Sequence, residues 1–412
     1  MSAALRSCAL LLAAATAAGA ADPEAEELLK QARAKVLDNT RRMPRYTCVE
    51  TISRTQYQPV DRSSNCRSPI AARGNLMARD RLRLDVAVME DGEIFSWAGA
   101  RKFETHDLRE LAGGGASSTG EFATFLAGVF GSAPGAFRYA GQRSGLAIFE
   151  YDVPVAKSNY SYRVNGPGRT IGYHGAFSVD PSDGDLRQLV VEAEHFASGD
   201  AVCRVQHTID YNRLKIGSGD FLLPEVSTMD ALYRGGAESL NETRFSDCRE
   251  YTGESSIHFG EVDSARGPAT AAKVAPHPLP SKARLLIGLS KPIDTETAAA
   301  GDPVDAVLLR DVIERKQGTI AKANDRVHGR ILGLRQFMEP EPRWYAAIRF
   351  DTIERNGVEQ PIALKPVDDG DRSTPRLRTK TPQRPEGGGV FIFAEHGNLL
   401  LDQTFHSEWE TR

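Results

Sequence analysis

The sequence has no excess of charge of either sign. It contains 51 Lys and Arg residues against 55 Asp and Glu residues, which gives a formal net charge of -4. A nucleic-acid-binding surface needs a basic excess, and a disordered acidic tail needs an acidic one. We therefore expect no nucleic-acid partner.

Motifs that mark an active site are also missing. The sequence has no HExxH pair to hold a metal on one helix face and no GxSxG to present a nucleophilic serine. The glycine-rich segments 113–115 and 387–389 do not lead from a strand into a helix, as a phosphate-binding loop does. We expect a non-enzymatic protein with no cofactor and no metal.

The nine histidines are scattered along the chain. His195 and His207 fall on neighbouring predicted strands, where we interpret them as exposed or hydrogen-bonded strand residues. The alternative is that they meet across the sheet and belong to a hydrolase site assembled from distant residues. Glu192 and Glu194 lie on a strand face that we expect to be solvated, because the apolar residues of that strand occupy the other face.

Cysteine is scarce, and only four of the five cysteines lie beyond the first twenty residues: Cys48, Cys66, Cys203 and Cys248. An even number in an exported chain indicates disulfides, and the absence of CxxC spacing disfavours a zinc site. Four cysteines allow three pairings. We favour Cys48–Cys66 and Cys203–Cys248, because each joins nearest neighbours along the chain and closes a loop of modest length.

Beyond the first twenty residues there is no long apolar run. Within them, Arg6 is the only charged residue, Cys8–Ala15 is apolar, and Ala18–Ala20 has the small residues of a cleavage site. The apolar run is shorter than the roughly 20 residues of a membrane-spanning helix. We predict a signal peptide over residues 1–20 and export to the periplasm or cell envelope, without a membrane span after cleavage.

The length of 412 residues favours more than one domain. The segment from Val262 to Lys282 has four prolines and five alanines without periodicity, which is typical of a linker. We therefore predict domains over residues 21–261 and 283–412. A polar segment rich in Pro and Gly, Asp368–Gly389, is predicted to be a loop of the second domain.

The most regular stretch runs from Ile171 to Glu225. It alternates apolar and polar residues and turns at Asp180–Gly184, Ser198–Asp200 and Gly217–Gly219. Such strands are antiparallel and buried on one face, so the sheet needs a helix, a second sheet or a ligand against its apolar face.

Similar patterns predict further strands in both domains, and helical spacing predicts helices over Ala25–Met43 and Thr119–Phe130. The fold class is therefore mainly β: an α+β N-terminal domain made of a helix-capped, curved antiparallel sheet or unclosed barrel, followed by a small β-barrel or sandwich. The further predicted strands are Tyr46–Tyr57, Arg79–Met89, Glu93–Trp97, Phe137–Gln142, Leu146–Val153, Tyr160–Val164, Asp220–Met229 and Asn241–Phe245, then Arg284–Leu289, Pro303–Leu309, Arg326–Leu334, Trp344–Glu354, Glu359–Leu364 and Val390–Ala394.

Aromatic and apolar side chains of the first domain are the positive signal for a binding site. They are interpreted either as an ordinary core under the N-terminal helix or as the lining of a concave face that holds a hydrophobic ligand. Tyrosines suit the mouth of such a cavity, because each has an apolar ring and a polar tip. The candidate ligand-lining residues are Leu82, Leu84, Val86, Phe149, Tyr151, Tyr160 and Tyr162.

The regular stretch carries a resemblance to a known family. The matching residues are Val179–Pro181, Gly184, Leu186–Arg187, Leu189–Ala193, Ile209–Tyr211 and Phe221–Glu225. With the helix that follows the signal peptide, residues 22–260 resemble the periplasmic outer-membrane lipoprotein carriers and their relatives. The resemblance implies an unclosed β-barrel capped by helices and, in some members, the binding of acyl chains. The four cysteines and the stretch Arg67–Asn75 depart from that pattern.

The second domain is similar to a β-barrel module of exported proteins and, distantly, to the C-terminal barrel of conjugation and secretion scaffolds. The matching segments are Thr297–Val304, Gly318–Ile320 and Val327–Arg330. This resemblance implies assembly or surface binding. We thus expect an exported protein that binds a lipid or other apolar ligand, and the alternative is an envelope interaction or scaffold protein with a protein partner.

Overall fold

A computed structural model describes residues 22–59, 73–89, 92–100, 102–131, 137–163, 167–251, 278–315, 318–367 and 387–412. The predicted signal peptide, Cys66, most of the predicted linker and most of the segment 368–389 lie outside these residues. The protein is mainly β, with one large antiparallel sheet that does not close and a helix near its N-terminus. This confirms the predicted fold class.

Helix α1 spans Pro23–Arg42 and confirms the predicted N-terminal helix. The Asp22 side chain caps it by accepting hydrogen bonds from the main-chain N–H groups of Glu24 and Ala25, at 3.1 and 3.4 Å. Acidic residues occupy its first turn and basic residues its last, as the helix dipole favours. No helix among the described residues is long and apolar enough to cross a membrane.

The N-terminal half, defined as residues 22–251, contains twelve strands among its described residues. Ten of them form one antiparallel series in the order β4–β5–β8–β9–β10–β11–β12–β1–β2–β3, and β6 pairs with β7 in a separate hairpin. The strands are β1 Tyr46–Gln58, β2 Asn75–Met89, β3 Gly92–Trp97, β4 Arg138–Arg143, β5 Leu146–Val153, β6 Ser161–Tyr162, β7 Arg169–Thr170, β8 Tyr173–Val179, β9 Leu186–Ala193, β10 Val202–Ile216, β11 Gly219–Tyr233 and β12 Glu238–Glu250.

The predicted meander is present as β8 to β11. Leu189, Val191 and Ala193 of β9 are fully buried, which confirms the predicted apolar face. Gly184 closes the first turn with a positive φ of 73° and donates its N–H to the Asp180 carbonyl at 2.7 Å. The inner face of this sheet is concave and is covered by α1 and by residues 107–131.

Residues 107–131, which we call the plug, differ from the helix predicted over 119–130. They form α2 (Leu108–Ala112), an irregular stretch, α3 (Thr124–Leu126) and one π-helical turn at Ala127–Gly131. The helix starts late because Gly120 has a φ of 105° and because its N–H donates to the Glu93 carboxyl rather than into a helical turn.

The C-terminal half, defined as residues 278–412, contains the other twelve strands around a core centred on Trp409. Asn356 and Gly357 both have positive φ and form the hairpin turn between β19 and β20. The strands are β13 Arg284–Leu289, β14 Ile293–Asp294, β15 Pro303–Leu308, β16 Val312–Glu314, β17 Gly318–Ala321, β18 Arg326–Phe337, β19 Arg343–Arg355, β20 Val358–Pro361, β21 Leu364–Pro366, β22 Gly389–Phe393, β23 Leu400–Leu401 and β24 His406–Thr411.

The two halves share one 18-stranded sheet. The end of β18 pairs with the start of β2, with Arg335 opposite Asp80 and Phe337 opposite Ala78. Next to this pairing the backbones are so close that a Cβ on Gly301 would lie 2.0 Å from the Arg83 carbonyl oxygen, so only glycine fits there. The strand pairing makes the junction continuous with the sheet.

The favoured disulfide pairing is wrong. Cys48 of β1 is bonded to Cys248 of β12, with 4.0 Å between their Cα atoms and 200 residues between them in sequence. Cys203 is disulfide-bonded as well. Loop length misled the prediction because β1 and β12 are antiparallel neighbours, and a register shift between Thr47 and Val49 places the two cysteines side by side.

Candidate functional site

Polar side chains on the concave face hold the plug by its main chain. Arg54 of β1 donates to the carbonyls of Ala112 and Gly114, at 2.9 and 2.6 Å. From β12, Asn241 Nδ2 donates to the Ala116 carbonyl at 2.9 Å. Hydrogen bonds from side chains to main-chain groups thus attach the plug, whereas strand pairing holds the sheet itself together.

A second hydrogen bond of this kind lies further along the plug. The hydroxyl of Tyr211 on β10 donates to the Glu121 carbonyl at 2.9 Å, and both groups are buried. On the other side, the main-chain N–H of Gly120 lies 3.1 and 3.2 Å from the two carboxyl oxygens of Glu93 on β3. The plug is therefore anchored from β1, β3, β10 and β12.

Aromatic rings of the plug fill the space over the sheet. The Phe122 ring lies edge-on to Phe245 and Tyr46, with ring centroids 4.8 and 5.7 Å apart. Three residues later, the Phe125 ring packs against His207 and Tyr160 at 5.2 and 5.5 Å. Phe122 belongs to one buried apolar cluster and Phe125 to another, so the plug bridges two clusters of the concave face.

Three glutamates, Glu50, Glu93 and Glu121, lie beneath and within the plug and form what we call the glutamate cluster. Glu50 and Glu121 are buried, and Glu93 is half-buried. Burial raises the pKa of Glu93 to about 8, and the charge of Glu121 adds to this effect, while the hydrogen bond from Gly120 opposes it. Burial, followed by the charges of Glu121 and Glu93, raises the pKa of Glu50 well above its ordinary value. Like charges in a low-dielectric interior favour the protonated form.

Glu121 is the member of the cluster with the most hydrogen bonds. Burial raises its pKa, and hydrogen bonds from the Ser118 and Ser227 hydroxyls work in the opposite direction. In contrast, one carboxyl oxygen of Glu50 and the hydroxyl of Tyr46 are buried and make no hydrogen bond. The concave face therefore has unused hydrogen-bonding capacity beneath the plug.

The structure separates the predicted ligand-lining residues into two groups. Leu82, Leu84 and Val86 of β2 are buried in the cluster of Phe122, near the β1–β3 end of the sheet. Phe149 and Tyr151 are buried in the cluster of Phe125, on β5. The plug lies between the two groups and contacts both clusters.

Tyr162 lies in β6 of the separate hairpin and Tyr160 directly precedes that strand, although the sequence placed both on a strand next to the Phe149 strand. β5 pairs instead with β4 and β8. Tyr160 and Tyr162 pack at the edge of the cluster that contains Phe149. The hydroxyl of Tyr162 donates to Asp200 at 2.6 Å, and Tyr160 shares a 3.0 Å hydrogen bond with His207.

The two histidines do not meet. His207 is fully buried and lies opposite Val191 in the β9–β10 pairing, whereas His195 is exposed beyond the end of β9. Burial lowers the pKa of His207 to about 4, so its ring is neutral at physiological pH. Among the residues that the structure describes, no group of three or more His, Cys, Asp or Glu side chains is arranged to hold a metal ion.

A cavity of about 70 Å³ opens where the plug, the concave face and the C-terminal half meet. Arg54, Asp80 and Leu82 line it from the N-terminal half, and plug residues 111–113 form one side. From the C-terminal half, residues 332–335 of β18 complete it. It is therefore a site to which both halves contribute.

Sequence reasoning missed Glu50, Glu93, Arg54, Glu121 and Tyr211 as site residues. The sequence carried one signal for Glu50 and Arg54. One face of β1 is formed by Tyr46, Cys48, Glu50, Ile52 and Arg54, and all five are buried. Charged residues on the same face as buried apolar ones indicate a polar interior site.

Comparison with known proteins places the chain in no family. No protein-family model matches it, and no curated protein sequence matches it. One solved structure with a weak likeness is a LolA superfamily protein from Nitrosomonas europaea, at 11% identity and a TM-score of 0.19, covering 55% of this chain and 94% of the other. At that TM-score the likeness carries no argument about fold or ligand.

Proposed function

We propose that this chain is an exported, non-enzymatic protein of the cell envelope that binds a lipid or another apolar ligand on the concave face of its N-terminal half. One observation carries the proposal. The plug bridges two apolar clusters of that face, yet it is anchored there by side chains rather than by strand pairing.

Displacement of the plug would uncover the aromatic rings of Tyr46, Phe245 and Tyr160, which Phe122 and Phe125 cover. A contiguous exposed apolar surface of this kind is unfavourable in water and is typical of a ligand-binding face. The residues proposed to contact the ligand remain Leu82, Leu84, Val86, Phe149, Tyr151, Tyr160 and Tyr162. Their division into two groups fits an elongated ligand that replaces the plug.

The Cys48–Cys248 disulfide supports the export part of the proposal, because disulfides persist in oxidising compartments such as the periplasm. The same proposal includes the signal peptide over residues 1–20, domains over 21–261 and 283–412, and the linker over 262–282. The resemblance of the second domain to a barrel module of exported proteins stays a prediction.

The test begins with the full-length protein purified from its own periplasm. Native mass spectrometry is expected to show an added mass that lipid extraction removes, because an apolar ligand would dissociate slowly from a covered face. The extracted protein should then bind the apolar fluorophore N-phenyl-1-naphthylamine saturably, and the extracted lipid should displace it. Absence of both an added mass and saturable fluorophore binding would overturn the proposal.

The same purification distinguishes the alternative function. An envelope interaction or scaffold protein would be favoured by two results together: a stable protein partner co-purifies without lipid, and the extracted protein does not bind the fluorophore.

A further inference from the structure

The cavity between the halves has two cationic side chains and one anionic side chain in its wall. Arg54 is fully engaged with Asp80, with Nε–Oδ1 and Nη2–Oδ2 distances of 2.7 and 2.9 Å. Arg335 approaches the same carboxylate more loosely, with 3.9 Å between Nε and Oδ2. Two guanidinium groups thus share one carboxylate, and the wall has a net positive charge.

Arg335 has hydrogen-bonding capacity that the protein does not use. Its Nη2 donates to Gln56 Oε1 at 2.7 Å, but its Nε is buried and makes no hydrogen bond. Burial also lowers the pKa of Arg335, against the favourable charge of Asp80. Arg335 lines the cavity, and the one carboxylate that compensates its charge is 3.9 Å away and shared with Arg54, so an anion in the cavity would complete that compensation.

The cavity has a suitable size for such an acceptor. A single buried water needs only about 10–15 Å³ by the same measure, so about 70 Å³ accommodates a group of several heavy atoms. The planar fork of arginine matches the geometry of carboxylate and phosphate oxygens. Apolar residues such as Leu82, Leu111 and Leu334 form the rest of the wall.

We propose that this cavity binds one oxyanion group, a carboxylate or a phosphate, with Arg335 of the C-terminal half as its principal donor. The group is either a free anion or the head group of a ligand whose apolar chain lies on the concave face. The second source rests on the proposed function. The position of the cavity is compatible with it, because the cavity borders both the plug and Leu82. The C-terminal half would then select the head group of a ligand held by the N-terminal half.

Isothermal titration calorimetry on the extracted full-length protein tests this with three probes: inorganic phosphate, dodecanoate and dodecanol. In Arg335→Gln we expect phosphate and dodecanoate to bind at least about tenfold more weakly, the size of one lost charge-assisted hydrogen bond. Dodecanol binding should not change. Arg326→Gln is the matched control, because it removes the same charge from an exposed position of β18.

Asp80→Asn gives the opposite change in charge. It removes the carboxylate that competes with a bound anion, so phosphate should bind more tightly than to the unsubstituted protein. Circular dichroism melting curves of each variant confirm that it is folded before titration. An Arg335→Gln variant that fails to fold leaves Asp80→Asn and the unsubstituted protein as the deciding measurements.

The outcomes separate this inference from the proposed function. If phosphate and dodecanoate bind equally to the unsubstituted protein, Arg335→Gln and Asp80→Asn, or if neither binds at all, the oxyanion site is refuted. Dodecanol binding that survives such a result preserves the apolar function. Phosphate binding that depends on Arg335, with no binding of either twelve-carbon probe, establishes a free-anion site and refutes the apolar function.

Discussion

Glu93 makes the stability of this protein dependent on pH. Its pKa is about 8 in the folded protein, against an ordinary value of 4.5. Between those values the folded state keeps a proton that the unfolded state has lost, so the free energy of unfolding falls as the pH rises through this window. The loss attributable to Glu93 is roughly 5 kcal/mol at most.

Glu93→Gln is therefore expected to be more stable than the unsubstituted protein at pH 8–9, by roughly 2–4 kcal/mol. Glutamine stays neutral and still offers an oxygen to the Gly120 N–H. Below pH 4.5 the two proteins should converge. Urea denaturation across pH 4–9, followed by circular dichroism, measures this difference.

The control for that series is Glu110→Gln, on an exposed position of α2 in the same plug. It should leave the pH dependence unchanged. A Glu93→Gln protein whose stability falls with pH as steeply as that of the unsubstituted protein would show that Glu93 ionises normally inside the fold.

At the scale of single residues, the sequence indicates which side chains are buried better than it indicates what they contact. The alternation of β1 places Glu50 and Arg54 on one face with Tyr46, Cys48 and Ile52, and that face is buried, although neither charged residue was predicted as a site residue. Their partners were not predictable, because Ala112, Gly114 and Glu121 are brought to β1 by the path of the plug. Every residue type has a main-chain carbonyl that can accept a hydrogen bond, so the sequence does not indicate which carbonyls do so.

At the scale of elements, the plug is held by few bonds, and each should matter. Tyr211→Phe removes the hydroxyl that donates to the Glu121 carbonyl and leaves that buried carbonyl without this donor. We expect the plug to be destabilised by about 1–2 kcal/mol, and its amides to exchange with deuterium roughly tenfold faster. Hydrogen-exchange mass spectrometry of peptides from residues 107–131 measures this effect.

Tyr251→Phe serves as the comparison, since Tyr251 is 40% exposed and its ring contacts Phe103. Its exchange pattern in the plug should match the unsubstituted protein. Equal exchange in Tyr211→Phe would mean that this hydrogen bond does not limit opening of the plug.

Strands were predictable and the plug was not, for a physical reason. A period of two along β2, β5 or β9 follows directly from one buried face, so their positions could be predicted from sequence. The plug has helical spacing in Phe122, Phe125 and Val129, but it meets several strands at once. The hydrogen bond that the Glu93 carboxyl accepts from the Gly120 N–H and the one that the Tyr211 hydroxyl donates to the Glu121 carbonyl compete with helical ones, so tertiary contacts override local propensity there.

At the scale of the whole molecule, the sequence predicts two sets of strands, but it does not predict that they form one sheet. Pairing of β2 with β18 joins residues more than two hundred positions apart, and the Cys48–Cys248 disulfide joins residues 200 positions apart. Such contacts depend on which strand edges remain unpaired after each half has folded. Local sequence patterns do not indicate those edges. The linker composition indicated separable domains, whereas the shared sheet couples them.

That coupling rests partly on an ion pair across the junction. Arg83 of β2 contacts both oxygens of Asp302, at 2.5 and 2.7 Å, and Asp302 also accepts from the Ala299 N–H at 2.9 Å. Both side chains are half-buried, so removing one charge leaves the other poorly compensated. Asp302→Asn is expected to lower the free energy of unfolding by about 1–3 kcal/mol.

The form of the unfolding transition tests the coupling itself. Trp97 lies in the N-terminal half, and Trp344 and Trp409 lie in the C-terminal half, so tryptophan fluorescence and far-ultraviolet circular dichroism weight the halves differently. In the unsubstituted protein the two urea curves should coincide, because the shared sheet makes both halves unfold together. In Asp302→Asn they should separate as the junction weakens.

Glu354→Gln, which breaks an ion pair within the C-terminal half, should lower stability less and keep the curves together. Curves that already separate in the unsubstituted protein would show that the halves unfold independently despite their common sheet.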